Sequence, residues 1–180
     1  MLEANADILI IAGSETTATA LTGTMYYLSR YPACLAKLRH EVRNAFTSSS
    51  EITGDATAKL PYLSAVIEET VRIYPPVPFG LKRVSPGAHI GPYFIPPGTV
   101  VSTDPWTAQH SARYWHQPDT FMPERWLGDG FAADNKRAFN PFSLGPRGCF
   151  GINLAYLEMR VILARMVWEL EWEMVGCPLG

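Results

Sequence analysis

At 180 residues, with 47% hydrophobic and 18% charged residues, the chain has the length and composition of one globular domain able to bury a core. Fifteen Lys and Arg against seventeen Asp and Glu leave a net charge of −2 with no basic run, which excludes a nucleic-acid partner held by charge. The three cysteines, Cys34, Cys149 and Cys177, are odd in number and widely spaced, so they make neither a disulfide framework nor a CxxC zinc pattern and fit a reducing compartment.

Taken in order, Met1 to Asp7 lacks the basic region of a secretory leader. The apolar runs near Ile8–Ala12 and Val161–Leu170 are too short or too charged to cross a bilayer. Residues 2 to 29 predict one helix, loosened at Gly13 and Gly23. Within it, Ala12-Gly13-Ser14-Glu15-Thr16-Thr17 sets hydroxyls after a glycine, where Ser or Thr can take over backbone carbonyls and water can enter the ladder. Read alone, this is an ordinary loose turn of helix. Pro32 stops that helix, and Ala33 to Phe46 predicts another, with Leu35, Leu38 and Val42 at helical spacing and Cys34 packed beside them. Thr47 to Lys59 is polar around Gly54 and predicts a surface loop.

Pro61 suits the first residue of the next helix, which Pro75-Pro76 must end. This helix sets Glu69 and Arg72 three apart on one face. Such a pair is usually solvated and worth a few tenths of a kcal/mol, but its surroundings here, Ala65 to Pro76, are apolar. Val77 to Thr103 is rich in Pro, Gly and β-branched residues, and its Gly91-Pro92 and Pro96-Pro97-Gly98 turns predict short hairpins. Trp126 to Ala138 predicts a polar loop.

That loop leads into Phe142-Ser143-Leu144-Gly145-Pro146-Arg147-Gly148-Cys149-Phe150-Gly151. Ile152 to Leu170 follows, free of Pro and Gly and apolar on most sides, which predicts a buried helix. Cys149 then sits just before a helix N-terminus, where unpaired N–H groups and the dipole favour a thiolate, with Arg147 adding positive charge. A thiolate offered from such a loop can serve as an axial ligand of haem iron. One alternative is a small buried hydrophobe. Another is a hydrolase or phosphatase nucleophile, which needs a base in reach or a Cys-x5-Arg loop, and residues 150 to 156 hold no Arg.

The pattern Phe142-x-x-Gly145-x-Arg147-x-Cys149-x-Gly151 resembles the haem-binding loop of the cytochrome P-450 monooxygenases at every defining position, and the whole chain resembles the C-terminal part of that family. The resemblance implies a mainly α fold with small β-hairpins, incomplete, forming one partial domain over residues 1 to 180. It implies that Cys149 ligates the iron of heme b. Phe142, Gly145 and Gly151 would complete that loop, and Arg147 and Arg83 would pair with propionates, which His110 also reaches unless it is a plain surface histidine. It implies that Glu15 and Thr16 relay protons to dioxygen through water. Glu69, Arg72 and Arg125 would form a buried structural triad in which one carboxylate serves two guanidinium groups. Val77 to Leu81 matches the segment lining the substrate pocket, with Val77, Phe79 and Leu81 as the lining side chains, and Lys82 departs from a proline common at its position.

The activity implied is insertion of one oxygen atom from dioxygen into a small apolar substrate, with electrons from NADPH through NADPH-cytochrome P-450 reductase. Residues 12 to 19 and Gly80 to Pro86 look most like fungal enzymes of secondary metabolism. Family members usually sit on the endoplasmic reticulum membrane, and the membrane anchor and first helices of such proteins have no counterpart in this sequence. The chain covers less than half of a typical member, so the competing reading is a truncated, inactive fragment or gene-model remnant. On either reading the chain alone is expected not to turn over substrate.

Overall fold

The computed structural model describes residues 2–128 and 131–175, with side chains described from residue 9 onward; Cys177 lies outside the described residues. Six α-helices and two two-stranded antiparallel sheets make up the regular structure of that region. Helix α1, Leu2–Arg30, runs unbroken through both glycines. The hydroxyls of Ser14 and Thr16 donate to the carbonyls of Ile10 and Ala12, both at 2.6 Å. Thr22, Thr24 and Ser29 repeat this one turn at a time. The stretch is an ordinary turn of helix, as the residues read alone suggest, because each hydroxyl adds a second hydrogen to a carbonyl still bonded in the helix. Gly23 marks a close approach instead: a Cβ there would lie 2.8 Å from Cδ1 of Tyr74.

Helix α2, Pro32–Ala45, begins on its proline, which lacks only a donor that the first turn leaves unpaired anyway. It buries Cys34, Leu35, Leu38 and Val42. The stretch predicted as a plain surface loop holds a 3-10 turn at Ser49–Glu51 and the one-turn helix α3, Gly54–Thr57. Thr53 caps α3 by accepting the Ala56 N–H, and Ile52 and Thr57 are buried. The hydroxyl cap and one apolar anchor order a segment whose composition is polar.

Helix α4, Pro61–Ile73, is the most enclosed element, packing against α1, α2 and α6 and meeting the short helix α5, Pro105–Gln109. Its first turn is capped from outside. Glu41 accepts the backbone N–H of Tyr62 at 2.8 Å and of Leu63 at 2.7 Å, satisfying two donors the helix cannot. Leu28, Leu38, Val42, Leu63, Val66, Leu163 and Val167 form the centre of the core.

Strands β2, Ala88–Ile90, and β3, Tyr93–Ile95, make the hairpin expected across Gly91-Pro92, with His89 opposite Phe94. The Pro96-Pro97-Gly98 turn does not make a second hairpin. Strand β4, Val100–Val101, returns past β3 to pair with β1, Arg83–Val84. Pro96 and Pro97 lack the N–H needed to extend the β3 ladder, whereas the Ser85 N–H donates to the Thr99 carbonyl at 2.8 Å and the Gly98 N–H to the Ser85 carbonyl at 2.9 Å.

Helix α6, Ile152–Glu169, corrects another expectation. It buries Met159, Leu163, Ala164 and Val167 on one face, while Leu154, Leu157 and Ile162 are exposed. An apolar sequence is thus buried along a single stripe among the described residues.

The segment Val77–Leu81 is tied back to the entry of α5. Gly80 donates its N–H to Asp104 Oδ1 at 3.0 Å, and Trp106 donates its N–H to the Pro78 carbonyl at 3.2 Å. A Cβ at Gly80 would lie 1.8 Å from the Thr103 carbonyl oxygen, so only glycine fits without backbone movement. Gly80→Ala is expected to push the two segments apart and lower stability by about 1–3 kcal/mol. The urea midpoint of the variant against the parent measures this.

Candidate functional site

The predicted triad forms, wholly buried. Arg72 donates from Nε to Glu69 Oε2 and from Nη2 to Oε1, both at 2.9 Å, a bidentate pair within α4. Arg125, in the 3-10 turn Pro123–Trp126, donates from Nε to Glu69 at 3.0 Å. Two further donors complete the carboxylate: Met122 N–H at 3.0 Å and Trp126 Nε1 at 2.9 Å. Further guanidinium hydrogens reach carbonyls. Arg72 takes those of Gln109 (2.8 Å) and Thr120 (3.4 Å), and Arg125 takes those of His116 (3.1 Å) and Gln117 (3.4 Å).

Sequence reasoning missed the fourth charge. Arg125 Nη1 donates to Asp134 Oδ2 at 2.5 Å, and this ion pair is also fully buried. Asp134 lies in the stretch expected to be a polar loop, which in fact ends in a 3-10 turn at Lys136–Ala138. Two guanidinium groups thus meet two carboxylates, and the buried cluster is neutral. Trp115 lies beneath both cations, its ring centre 5.4 Å from Arg72 Cζ and 5.8 Å from Arg125 Cζ. Trp126 could have been suspected from its place beside Arg125; no pattern in a polar loop singles out Asp134.

The cysteine loop is built from backbone. Ser143 and Gly145 both take left-handed angles, φ +61° and +70°. A left-handed non-glycine residue is uncommon, and here it starts the sharp bend after Phe142. Residues Gly145–Arg147 form a 3-10 turn, and the Gly148 N–H donates to the Gly145 carbonyl at 3.0 Å. The Cys149 N–H donates to the Phe142 carbonyl at 2.9 Å, closing the loop at the base of α6. Gly151 is the N-cap of α6 and supplies no side-chain cap. A Cβ on Gly151 would come within 3.8 Å of Cys149 Sγ.

Cys149 is an exposed free thiol, flanked by exposed Leu144 and by Phe150, which is 100% exposed. Among the described residues no cluster of three His, Cys, Asp or Glu could hold a metal ion, so a zinc-type donor set does not fit. A haem fits. It needs one soft sulfur donor from the protein, a bare backbone beside that sulfur and apolar neighbours for a flat macrocycle, and this loop offers all three. No histidine or carboxylate hydrogen-bonds to Cys149 among the described residues, so the activated nucleophile has no base in contact.

The other predicted residues stand apart from this loop. Arg147 is exposed and without an ion pair among the described residues, and Arg83 is exposed with one hydrogen bond, from Nη1 to the Lys82 carbonyl at 3.0 Å. Both guanidinium groups are open to an anion. His110 is held in place, its Nδ1 donating to the Trp106 carbonyl at 3.0 Å and its ring stacked on Trp106 at 3.8 Å. Val77, Phe79 and Leu81 are exposed, Phe79 the most at 76%. On α1, Glu15 is exposed and lines a shallow cleft with Ala18, Thr19, Thr22 and Tyr74. Among the described residues no hydrogen bond or ion pair links Glu15, Thr16, Arg83 or the Arg147 side chain to Cys149. The structure brings α1 and α6 into contact, and they share the core.

Comparison with known proteins matches the family described as Cytochrome P450 over residues 1–178. The chain belongs to the cytochrome P450 family. It is 52% identical to the cytochrome P450 monooxygenase BOA3 of Botryotinia fuckeliana, over 99% of this chain and 37% of that protein. It is 50% identical to the cytochrome P450 monooxygenase poxC of Penicillium oxalicum, over 97% of this chain and 38% of that one. It is 46% identical to the trichothecene C-15 hydroxylase of Fusarium sporotrichioides, over 94% of this chain and 35% of that one. The chain therefore spans just over a third of the length of these relatives. The mainly helical fold with two small antiparallel sheets accords with part of a P450 fold, and haem iron is the cofactor that the family implies. No helix among the described residues is long and apolar enough to cross a membrane.

The buried quartet generates a test. Removing the Asp134 carboxylate leaves Arg125 with an uncompensated buried charge, so Asp134→Ala is expected to cost about 3–5 kcal/mol. Trp126→Phe leaves one lone pair of Glu69 without its donor and is expected to cost about 1–3 kcal/mol. Urea unfolding of both variants checks the order of the two effects.

Proposed function

We propose that this chain is the haem-binding part of a monooxygenase acting on a small apolar substrate of fungal secondary metabolism. Residues 1 to 180 would act as one partial P450 domain. The observation that carries this reading is the Cys149 loop: an exposed sulfur at the N-terminus of an 18-residue helix, ringed by Gly145, Gly148 and Gly151 and followed by unpaired Phe150. The names of the relatives, monooxygenases and a hydroxylase of fungi, support the reaction class.

In this reading Cys149 Sγ is the iron ligand, with Phe142, Gly145 and Gly151 completing its loop, and Arg147 and Arg83 neutralise the propionates. Bound haem would supply dioxygen activation, one oxygen atom passing to the substrate and the other leaving as water with two protons and two electrons. The electrons come from NADPH through a partner reductase. The chain's own contribution on the oxygen side is proton handling. Thr16 already directs its hydroxyl hydrogen at the Ala12 carbonyl, so its oxygen is left to accept, while the exposed Glu15 carboxylate exchanges protons with water. Val77, Phe79 and Leu81 offer apolar surface for the substrate. Family membership supports attachment to the endoplasmic reticulum membrane in the whole enzyme.

A second reading, that the chain by itself is inactive, is favoured by its exposed Ile10, Ile11, Leu154 and Leu157. At about 25 cal/mol per Å2, apolar surface of this kind costs several kcal/mol when a few hundred Å2 stay wet.

Two measurements on the haem-loaded enzyme test the main reading. Cys149→Ser is expected to abolish the red-shifted Soret band of the reduced carbon monoxide complex; an unchanged band refutes the thiolate assignment. Thr16→Ala is expected to bind haem normally yet divert electrons from product to peroxide. Coupling of NADPH consumption to product equal to that of the parent would remove Thr16 from the proton path.

A further inference from the structure

Glu68 and Glu69 are neighbours on α4, about 100° apart around the helix, and they reach different partners. Glu69 serves the buried cations. Glu68 reaches α6, where its Oε2 accepts the Tyr156 hydroxyl hydrogen at 2.9 Å. Burial pushes the Glu68 carboxyl above its ordinary range, against the opposing pull of the Tyr156 hydrogen bond and the Arg160 charge. Tyr156 is held elsewhere too. Arg160 Nε donates to its backbone carbonyl at 3.0 Å, and Arg160 Cζ lies 5.6 Å from the centre of its ring.

Against this fixed ring packs Phe142, at 5.1 Å between ring centres and a 47° tilt. Among the described residues it is the one aromatic contact between α6 and the cysteine loop. The Phe142 carbonyl is also the acceptor for the Cys149 N–H, at 2.9 Å. A chain of contacts thus runs from α4 through Tyr156 and Phe142 to the backbone of the cysteine. Nothing in the loop pattern itself points to Glu68 or Tyr156.

We propose that Tyr156, anchored by Glu68, is a positioning residue for Cys149: by seating Phe142 it fixes the carbonyl that ties the Cys149 amide, and so the direction in which the sulfur is presented. The geometric statement stands on contacts alone; its consequence for iron ligation rests on the haem-thiolate reading.

Backbone amide exchange of the haem-free chain reads the geometry. In Tyr156→Leu the Cys149 amide is expected to exchange about tenfold faster than in the parent, while the amides of α2 keep their protection. Tyr156→Phe keeps the ring and is expected to give a smaller rise confined to residues 142–149. Glu68→Gln still offers an acceptor oxygen to Tyr156 and should stay within about twofold of the parent. Unchanged Cys149 exchange in a folded Tyr156→Leu protein overturns the proposal. If that variant loses protection throughout, Tyr156→Phe decides: a local rise supports the proposal, and an absent or uniform one overturns it. In the haem-loaded enzyme the same order is expected in the fraction of reduced carbon monoxide complex that shows the thiolate band. A parent without that band defeats the haem-thiolate reading and leaves amide exchange to judge this one. A normal band unaffected in every variant defeats this proposal alone.

Discussion

The fold depends on keeping one carboxylate, Glu69, ionised and out of water. An isolated buried charge costs several kcal/mol even after the protein relaxes, so its neighbours must repay nearly all of that. They do so by number: five hydrogens from Arg72, Arg125, Met122 and Trp126 converge on its two oxygens. The guanidinium groups bring the same problem with the opposite sign. Carbonyls of Gln109, His116, Gln117 and Thr120, together with Asp134, resolve it. Gln117 holds a left-handed φ of +44°, which turns two successive carbonyls toward Arg125. A cluster of this kind contributes little net stability over an apolar equivalent. What it supplies is register, because residues 109–126 and Asp134 can meet α4 in one arrangement only if every donor is to find its acceptor.

That requirement makes α4 the hub of the described region. Its apolar face is shared with α1, α2 and α6, Glu41 caps its start, and Glu69 pins the long irregular segment beside it. Its neighbour Glu68 turns to α6 instead. Adjacent acidic residues would ordinarily repel at close range. Here one is neutralised by two arginines, and the other sits beside a tyrosine hydroxyl and the Arg160 charge. Helix α4, which carries Glu69 and Arg72, and helix α6, which follows the cysteine loop, are thereby fixed to each other by a polar contact as well as by packing.

Much of this was legible in the residues, and what was not has physical reasons. Helices α1, α2 and α4 follow from Pro32, Pro61 and apolar spacing, because their boundaries are set by local backbone chemistry. The cysteine loop was legible for the same reason, since glycines and a proline at fixed offsets dictate a backbone path. The pairing of β1 with β4 was not, because a strand pair separated by a whole hairpin leaves no local mark. Asp134 was hidden because a buried aspartate in a polar stretch looks like every other aspartate there. Helix α6 was misjudged through a different error: apolar composition says what a residue prefers, and Leu154 and Ile162 remain exposed among the described residues. The order in 49–57 came from one threonine cap and Ile52, too small a signal against a polar background.

Pairing separates the structural residues from the candidate ligand residues more sharply than position does. Glu69, Arg72, Arg125 and Asp134 are buried with their hydrogen-bonding atoms engaged. Cys149, Arg147 and Glu15 are exposed, and their side chains have no hydrogen-bond partner among the described residues. Phe79, Leu81 and Phe150 leave apolar surface uncovered among the described residues. A side chain whose chemistry is fully satisfied inside the chain has nothing left with which to bind. One that is held in position by the backbone yet left unpaired carries its interaction energy forward to a ligand. The cysteine loop is the extreme case, since two left-handed residues and three backbone hydrogen bonds fix its path while its sulfur has no hydrogen-bond partner among the described residues. That combination of a fixed backbone and an uncommitted donor is preorganisation, and it lowers the ordering cost that a bound group would otherwise have to meet.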